Sequence, residues 1–188
     1  MRRPLIASLS FLTCLACSHA FAAASAPTPA TLEPLLQAIS ERLTIADQVA
    51  LSKWDTGQAV EDPPRELQVI TNAQARAPEF SLHPEDVQRL FRAQIEANKR
   101  VQNSLHAQWR ADGRAPDTAR QSLTKDIRPR LDRLQTELLK AYADFQPLRE
   151  SPDCASTLNA GLKHHLSDPI HDQALVLATA DLCAAGAR

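Results

Sequence analysis

Apolar residues recur in steps of four and three from Leu35 through Ile39, Ala46 and Val49, and two cations, Arg42 and Lys53, stand in the same register. Such spacing keeps one face of an α-helix, so both cations point along the stripe that should be buried. They are eleven residues apart, about 16 Å along the axis at ~1.5 Å per residue. A second stripe, Val87, Phe91, Ile95, Asn98, Gln102, Leu105 and Trp109, carries two neutral amides in core register. A third, Ile127, Leu131, Leu134, Leu138, Ala141 and Phe145, is purely apolar. Long helices packed through these stripes are the expected outcome, and no alternating strand pattern or internal repeat competes with them. Glycine occurs only four times and aromatics make up 4% of the chain, which further disfavours sheet-rich folds. The predicted fold class is therefore all-α, a single-domain bundle of about six helices.

Start and stop signals set the expected boundaries. Thr31 is placed to cap a first helix from Leu32 to Asp55, with a loop through Gly57 after it. Asp62 followed by Pro63 opens a shorter second helix reaching Ala77. His83-Pro84-Glu85-Asp86 opens a third, which runs to Trp109 and ends near Gly113. The fourth carries the Ile127 stripe. Pro129 sits either in its first turn or at a kink in a longer helix begun near Asp117. Two shorter helices are expected over Pro152–Leu166 and Pro169–Ala185.

The chain begins Met1-Arg2-Arg3, continues with a mainly apolar run from Leu5 to Cys17, and reaches small residues at Ala20-Phe21-Ala22. This is the pattern of a secretory signal. It gives a signal peptide at 1–22, with Ala26 as the second choice of cleavage site, a flexible Ala/Ser/Pro segment at 23–30, and a helical domain at 31–188. The apolar run is short of the ~20 residues that span a bilayer, so a periplasmic or secreted protein with no membrane attachment after cleavage is expected. Cys154 and Cys183 would remain after processing, and an even pair in an oxidising compartment is expected to form a disulfide. Two cysteines without suitably spaced histidines make a poor metal site. His164, His165 and His171 are read as surface residues, because adjacent helical positions point roughly 100° apart. The formal charge of −1 becomes −3 once Arg2 and Arg3 are removed, which leaves no electrostatic footprint for nucleic acid.

Uncompensated charge on a core stripe costs several kcal/mol. Inward Arg42 and Lys53, joined by Arg65 from the Asp62-Pro63-Pro64-Arg65-Glu66 segment, therefore suggest a buried anionic ligand. Plainer roles exist for the individual residues. Asp62 is a ready helix cap, with or without a part in the site; Arg65 and Glu66 fit a solvated helix face; Asn98 and Gln102, four apart, can satisfy each other. Arg42 and Lys53 have no acidic residue on their own stripe.

In joint order and spacing these residues resemble the active site of the all-helical, type II-like chorismate mutases, and the export signal and cysteines point to the secreted gamma subclass. The resemblance covers roughly the mature chain. It implies an isomerase that rearranges chorismate to prephenate without cofactor or metal, by selecting a compact conformer and stabilising negative charge on the breaking ether oxygen. By that resemblance Arg42 and Arg65 hold the two carboxylates, Lys53 and Gln102 donate to the ether oxygen, and Glu66 accepts from the ring hydroxyl. Asn98 supports the ring carboxylate, and Asp62 orients Lys53 or the loop. Secreted members use a further arginine from the later long helix. A gapless comparison puts Glu137 there, which leaves Arg130, Arg133 or a local shift to supply the guanidinium. Gln102 stands where secreted relatives carry Glu. A homodimer is also implied. The competing class is a non-catalytic periplasmic helical module that binds a small dicarboxylate or a partner helix.

Overall fold

The computed structural model describes residues 31–184. The expected signal peptide and lead-in segment, and the residues after 184, lie outside them. Six α-helices follow in order: α1 (Glu33–Thr56), α2 (Pro63–Arg76), α3 (Pro84–Asp112), α4 (Arg128–Arg149), α5 (Cys154–Leu162) and α6 (Pro169–Thr179). A 3-10 turn, Ala77–Phe80, continues α2, and a π turn, Leu123–Ile127, precedes α4. No strand occurs among the described residues.

Helices α1 and α3 form the centre. α1 packs on α3 and α4, while α3 also receives α2 and α6. Their stripes supply the main core, including Leu35, Leu36, Ile39, Leu43, Val87, Phe91, Leu138, Tyr142 and Phe145. Burying one such large apolar side chain contributes roughly 1.5–3 kcal/mol. A smaller cluster of Ile45, Val49, Ile127 and Leu134, with Leu123 and Leu131 against it, seats the π turn and the start of α4 on α1.

The boundaries follow local chemistry. Thr31 does not cap α1; the N-cap is Leu32, without a side-chain bond, and Leu32 is instead fully buried in the core. At the other end Gly57 takes a left-handed φ of 67°. Its N–H donates to Trp54 at 3.3 Å and the next N–H, of Gln58, donates to the Lys53 carbonyl at 3.0 Å. This closes the helix one turn beyond Lys53 and turns the chain back over it. α2 begins as expected, with Asp62 Oδ1 accepting from Arg65 N–H at 3.2 Å.

Pro129 lies in the first turn of α4, not at a kink in a helix begun near Asp117. Ser122 organises the preceding turn: its carbonyl accepts from Asp126 N–H at 3.0 Å and Ile127 N–H at 3.1 Å. The missing N–H of proline is tolerated there because first-turn amides have no helical partner.

The two C-terminal helices are shorter than their sequence pattern. α5 stops at Leu162, and the chain turns before Asp168 caps α6 by accepting from Ile170 N–H at 2.9 Å and His171 N–H at 3.2 Å. α6 stops at Thr179 because the chain must return to α5. Cys154 and Cys183 form a disulfide with Cα atoms 5.8 Å apart, and Ala184 N–H donates to the Arg149 carbonyl at 3.0 Å. His165 and His171 are not free surface residues. His165 lies 3.2 Å from Ser40 Oγ and 3.1 Å from Glu33, while His171 lies 3.0 Å from Asp47 and 2.7 Å from Asp168. Both pin the α5–α6 connection onto α1.

Candidate active site

One cavity gathers all seven residues that sequence spacing singled out for the main site. Arg42, Lys53, Asp62, Arg65, Glu66, Asn98 and Gln102 line it together with Lys99, Arg128, Asp132 and Gln135. It lies between the second half of α1, the α1–α2 loop, α2, the middle of α3 and the first turns of α4.

The two α1 cations are buried, with Arg42 6% and Lys53 8% exposed. Arg42 Nε has no hydrogen-bond partner, and its guanidinium sits 5.7 Å from the centre of the Phe91 ring. Burial pulls its pKa down to about 10, partly opposed by Asp132, so it remains a cation at neutral pH. Lys53 Nζ donates to the Val60 carbonyl at 2.6 Å. An ammonium has three donors, so two remain for the cavity. Burial lowers the Lys53 pKa; the carboxylates of Asp62, Glu66 and Glu61 oppose that shift, and Arg128 adds to it.

Helix α2 starts at the rim because of a reciprocal cap. Asp62 Oδ1 holds Arg65 N–H, and Asp62 N–H donates to Glu66 Oε1 at 3.2 Å. Asp62 is thus both the expected cap and part of the cavity wall. Glu66 Oε2 accepts from Lys99 Nζ at 3.2 Å. The Arg65 guanidinium is tethered to Gln68 at 2.8 Å and to Asp132 at 3.4 Å.

The amide pair on α3 is internally bonded, as four-residue spacing allows. Gln102 Nε2 donates to Asn98 Oδ1 at 2.7 Å, and Asn98 Nδ2 donates to the Arg42 carbonyl at 3.1 Å. Gln102 is 3% exposed and keeps a second amide hydrogen, while its Oε1 has no partner. Asn98 therefore fixes both Gln102 and the α1 backbone.

The later-helix arginine at the cavity is Arg128, not Arg130 or Arg133. Arg128, Leu131, Asp132 and Gln135 all line the cavity, and their spacing of three, four and seven is one helical face. Arg130 is two residues on, roughly 200° around the axis, and its Nη1 donates to Gln48 at 2.8 Å. Arg133 and Glu137 are exposed. Had Pro129 been fixed in the first turn, this face would have been readable; a gapless comparison cannot find it. Gln135, 8% exposed, was missed for the same reason. Lys99 was missed because it sits one residue past the amide Asn98, where a solvated position is the simple reading.

Five cations, Arg42, Lys53, Arg65, Lys99 and Arg128, face three carboxylates, Asp62, Glu66 and Asp132, around this cavity. Lys99 is engaged by carboxylates of the protein, which leaves Arg42, Lys53, Arg65 and Arg128 as the cations that suit a small anion with carboxylate groups. Arginine adds planar, bidentate donors for carboxylate groups.

Comparison with known proteins gives a consistent relationship. Residues 33–103 match the family model for chorismate mutase type II. The secreted chorismate mutase of Mycolicibacterium smegmatis is 34% identical over 164 residues, covering 85% of this chain and 90% of that protein. The crystal structure of a chorismate mutase from Burkholderia phymatum superposes with a TM-score of 0.81 at 43% identity, covering 82% of this chain and 97% of the other. One from Burkholderia thailandensis gives 0.79 at 35% identity, with 81% and 99% covered. The fold and the sequence relationship both extend over most of both chains, and the chain belongs to the chorismate mutase family, among its secreted members.

Proposed function

We infer that this cation-lined cavity is where this exported chorismate mutase rearranges chorismate to prephenate. The observation that carries the placement is the buried pair Arg42 and Lys53 on one wall of a cavity that Arg65 and Arg128 also line. Chorismate has two carboxylates, which such a set of cations suits. The reaction is an intramolecular pericyclic shift and needs no covalent nucleophile. The protein lowers its barrier by holding the reactive conformer and by presenting fixed donors where charge grows.

In this assignment Arg42, Arg65 and Arg128 take the carboxylates. The unpartnered Nε of Arg42 supports a contact there, since a buried donor without a partner costs free energy until it is met. Lys53 and Gln102 donate to the ether oxygen with the hydrogens not used by Val60 and Asn98. Glu66 accepts from the ring hydroxyl. Asp62 and Asn98 hold Glu66 and Gln102 in place, and Asn98 also acts near the ring carboxylate.

Following the loss of chorismate absorbance with purified protein tests both activity and site. Lys53→Ala should lower turnover at least ~100-fold, the scale of removing one preorganised donor, with helical circular dichroism retained. Wild-type turnover with an unimpaired Lys53→Ala variant would move the chemistry elsewhere. A homodimer belongs to the proposal on family resemblance alone, and sedimentation equilibrium measures it directly.

A further inference from the structure

Lys99 stands at the junction of three elements, and its ammonium is engaged on every side. Nζ lies 2.9 Å from Glu61 Oε2 on the α1–α2 loop, 3.2 Å from Glu66 Oε2 on α2, and 2.8 Å from Glu96 Oε1 on its own helix. Its side chain is only 13% exposed, whereas Glu61 and Glu96 are 60% and 53% exposed. Two of its three donors make hydrogen bonds to Glu61 and Glu66, and the Glu96 carboxylate stands beside the ammonium as a third ion-pair partner. Its charge is therefore committed to three carboxylates of the protein, although it lines the cavity.

Glu66 receives the consequence. Its Oε1 is fixed by Asp62 N–H and its Oε2 by Lys99. The same ammonium ties Glu61, next to the loop carbonyl of Val60 that holds Lys53. One cation thus sets the orientation of Glu66 and closes the loop against α3.

We propose that Lys99 is a positioning residue for the chorismate mutase reaction, acting through Glu66 and the Glu61 loop and not through contact with substrate. This rests on the function inferred above. Burial opposes the charge on Lys99, but hydrogen bonds to Glu96, Glu61 and Glu66 outweigh it and raise the pKa above the ordinary lysine value. The clamp consequently stays charged throughout the range in which the enzyme is handled.

Steady-state kinetics on wild type, Lys99→Met, Lys99→Arg, Glu66→Ala and the double variant Lys99→Met/Glu66→Ala provide the test. Lys99→Met should lower kcat about tenfold while KM moves less than about threefold, the signature of lost transition-state organisation. Lys99→Arg should recover most of the loss. In the Glu66→Ala background Lys99→Met should cost clearly less than in wild type, only the part carried by the Glu61 loop remaining, because residues that act as a unit are non-additive. A raised KM with intact kcat, or the same loss in both backgrounds, would overturn the assignment by making Lys99 an independent substrate contact. Should Lys99→Met lose its helical circular dichroism, Glu61→Gln leaves α3 untouched and should still lower kcat with little change in KM; unchanged kinetics there would overturn the loop clamp. An inactive wild type sinks the function and this inference together, whereas an active wild type with an unaltered Lys99→Met sinks only the inference.

Discussion

Asn98 Nδ2 donates to the backbone carbonyl of Arg42 at 3.1 Å, so the helix that carries the amide pair also fixes the height of the buried guanidinium. The bond joins α3 to α1 at the level of the cavity. Arg42 is thereby held in place by its backbone while its Nε remains without a partner. Such a residue is costly to the fold and useful to a ligand.

Arg42→Met should separate those two effects. Methionine fills most of the same volume beside Phe91 without an unpaired charge, so the melting temperature should rise by roughly 2 °C or more, given ~2–4 °C per kcal/mol for a chain of this size. Chorismate turnover should fall by at least ~100-fold, comparable with losing a preorganised charged contact. Thermal unfolding and kinetics on the same preparation check both. A clear drop in melting temperature would mean that Arg42 serves the fold.

Arg128→Ala and Arg130→Ala form a second contrast. Arg128 lines the cavity, whereas Arg130 donates to Gln48 outside it. Arg128→Ala should mainly raise KM, by about tenfold or more if one carboxylate contact is lost. Arg130→Ala should stay within about twofold of wild type, because a partly exposed polar contact is worth little. The reverse ranking would require α4 to be rotated about its axis.

These two arginines also mark where the sequence stops being legible. On α1 and α3 an unbroken apolar stripe gives each polar residue an angle around the helix, and Arg42, Lys53, Asn98 and Gln102 all face the cavity as that angle requires. Asp62 and Arg65 were readable because a cap and prolines fix where α2 begins. The apolar stripe of α4 was readable, but which residues beside it reach the cavity was not, since that depends on where the π turn Leu123–Ile127 starts the helix just before Pro129. Lys99 fails for another reason: its importance comes from Glu61 and Glu66, which no pattern on its own helix contains. The end of α6 was overextended because its propensity continues past the point where the Cys154–Cys183 tie turns the chain, and that of α5 because the chain turns after Leu162 toward the Asp168 cap.

The histidine latch on α1 should make stability fall in mild alkali. The hydrogen bond to Asp47 is the main cause that raises His171 to about 9 from an ordinary 6.5; burial opposes it, and Asp168 adds to it. Because the folded value is the higher one, the stabilisation is fully present below about pH 6.5 and is lost as pH rises through about 9. Melting temperatures of wild type should decline across that window relative to His171→Gln. Parallel curves for the two proteins would show that the latch adds nothing through its charge.

Gln102 offers the most direct probe of the ether-oxygen assignment. It is buried on α3, its Nε2 is oriented by Asn98 at 2.7 Å, and its second amide hydrogen is uncommitted. A neutral amide donates at any ordinary pH, whereas a carboxyl group at the same place donates only while protonated. Gln102→Glu should therefore be most active at the acidic end of a profile from about pH 5 to 8 and decline as the new carboxyl ionises, since burial and the neighbouring Asn98 Oδ1 disfavour the anion. The anion would also repel negative charge growing on the breaking bond. Wild type has no carboxyl at position 102 and should lack this decline. A variant that keeps wild-type turnover across the whole range would show that residue 102 does not meet the reacting oxygen, and Lys53 would be left as the sole donor assigned to it.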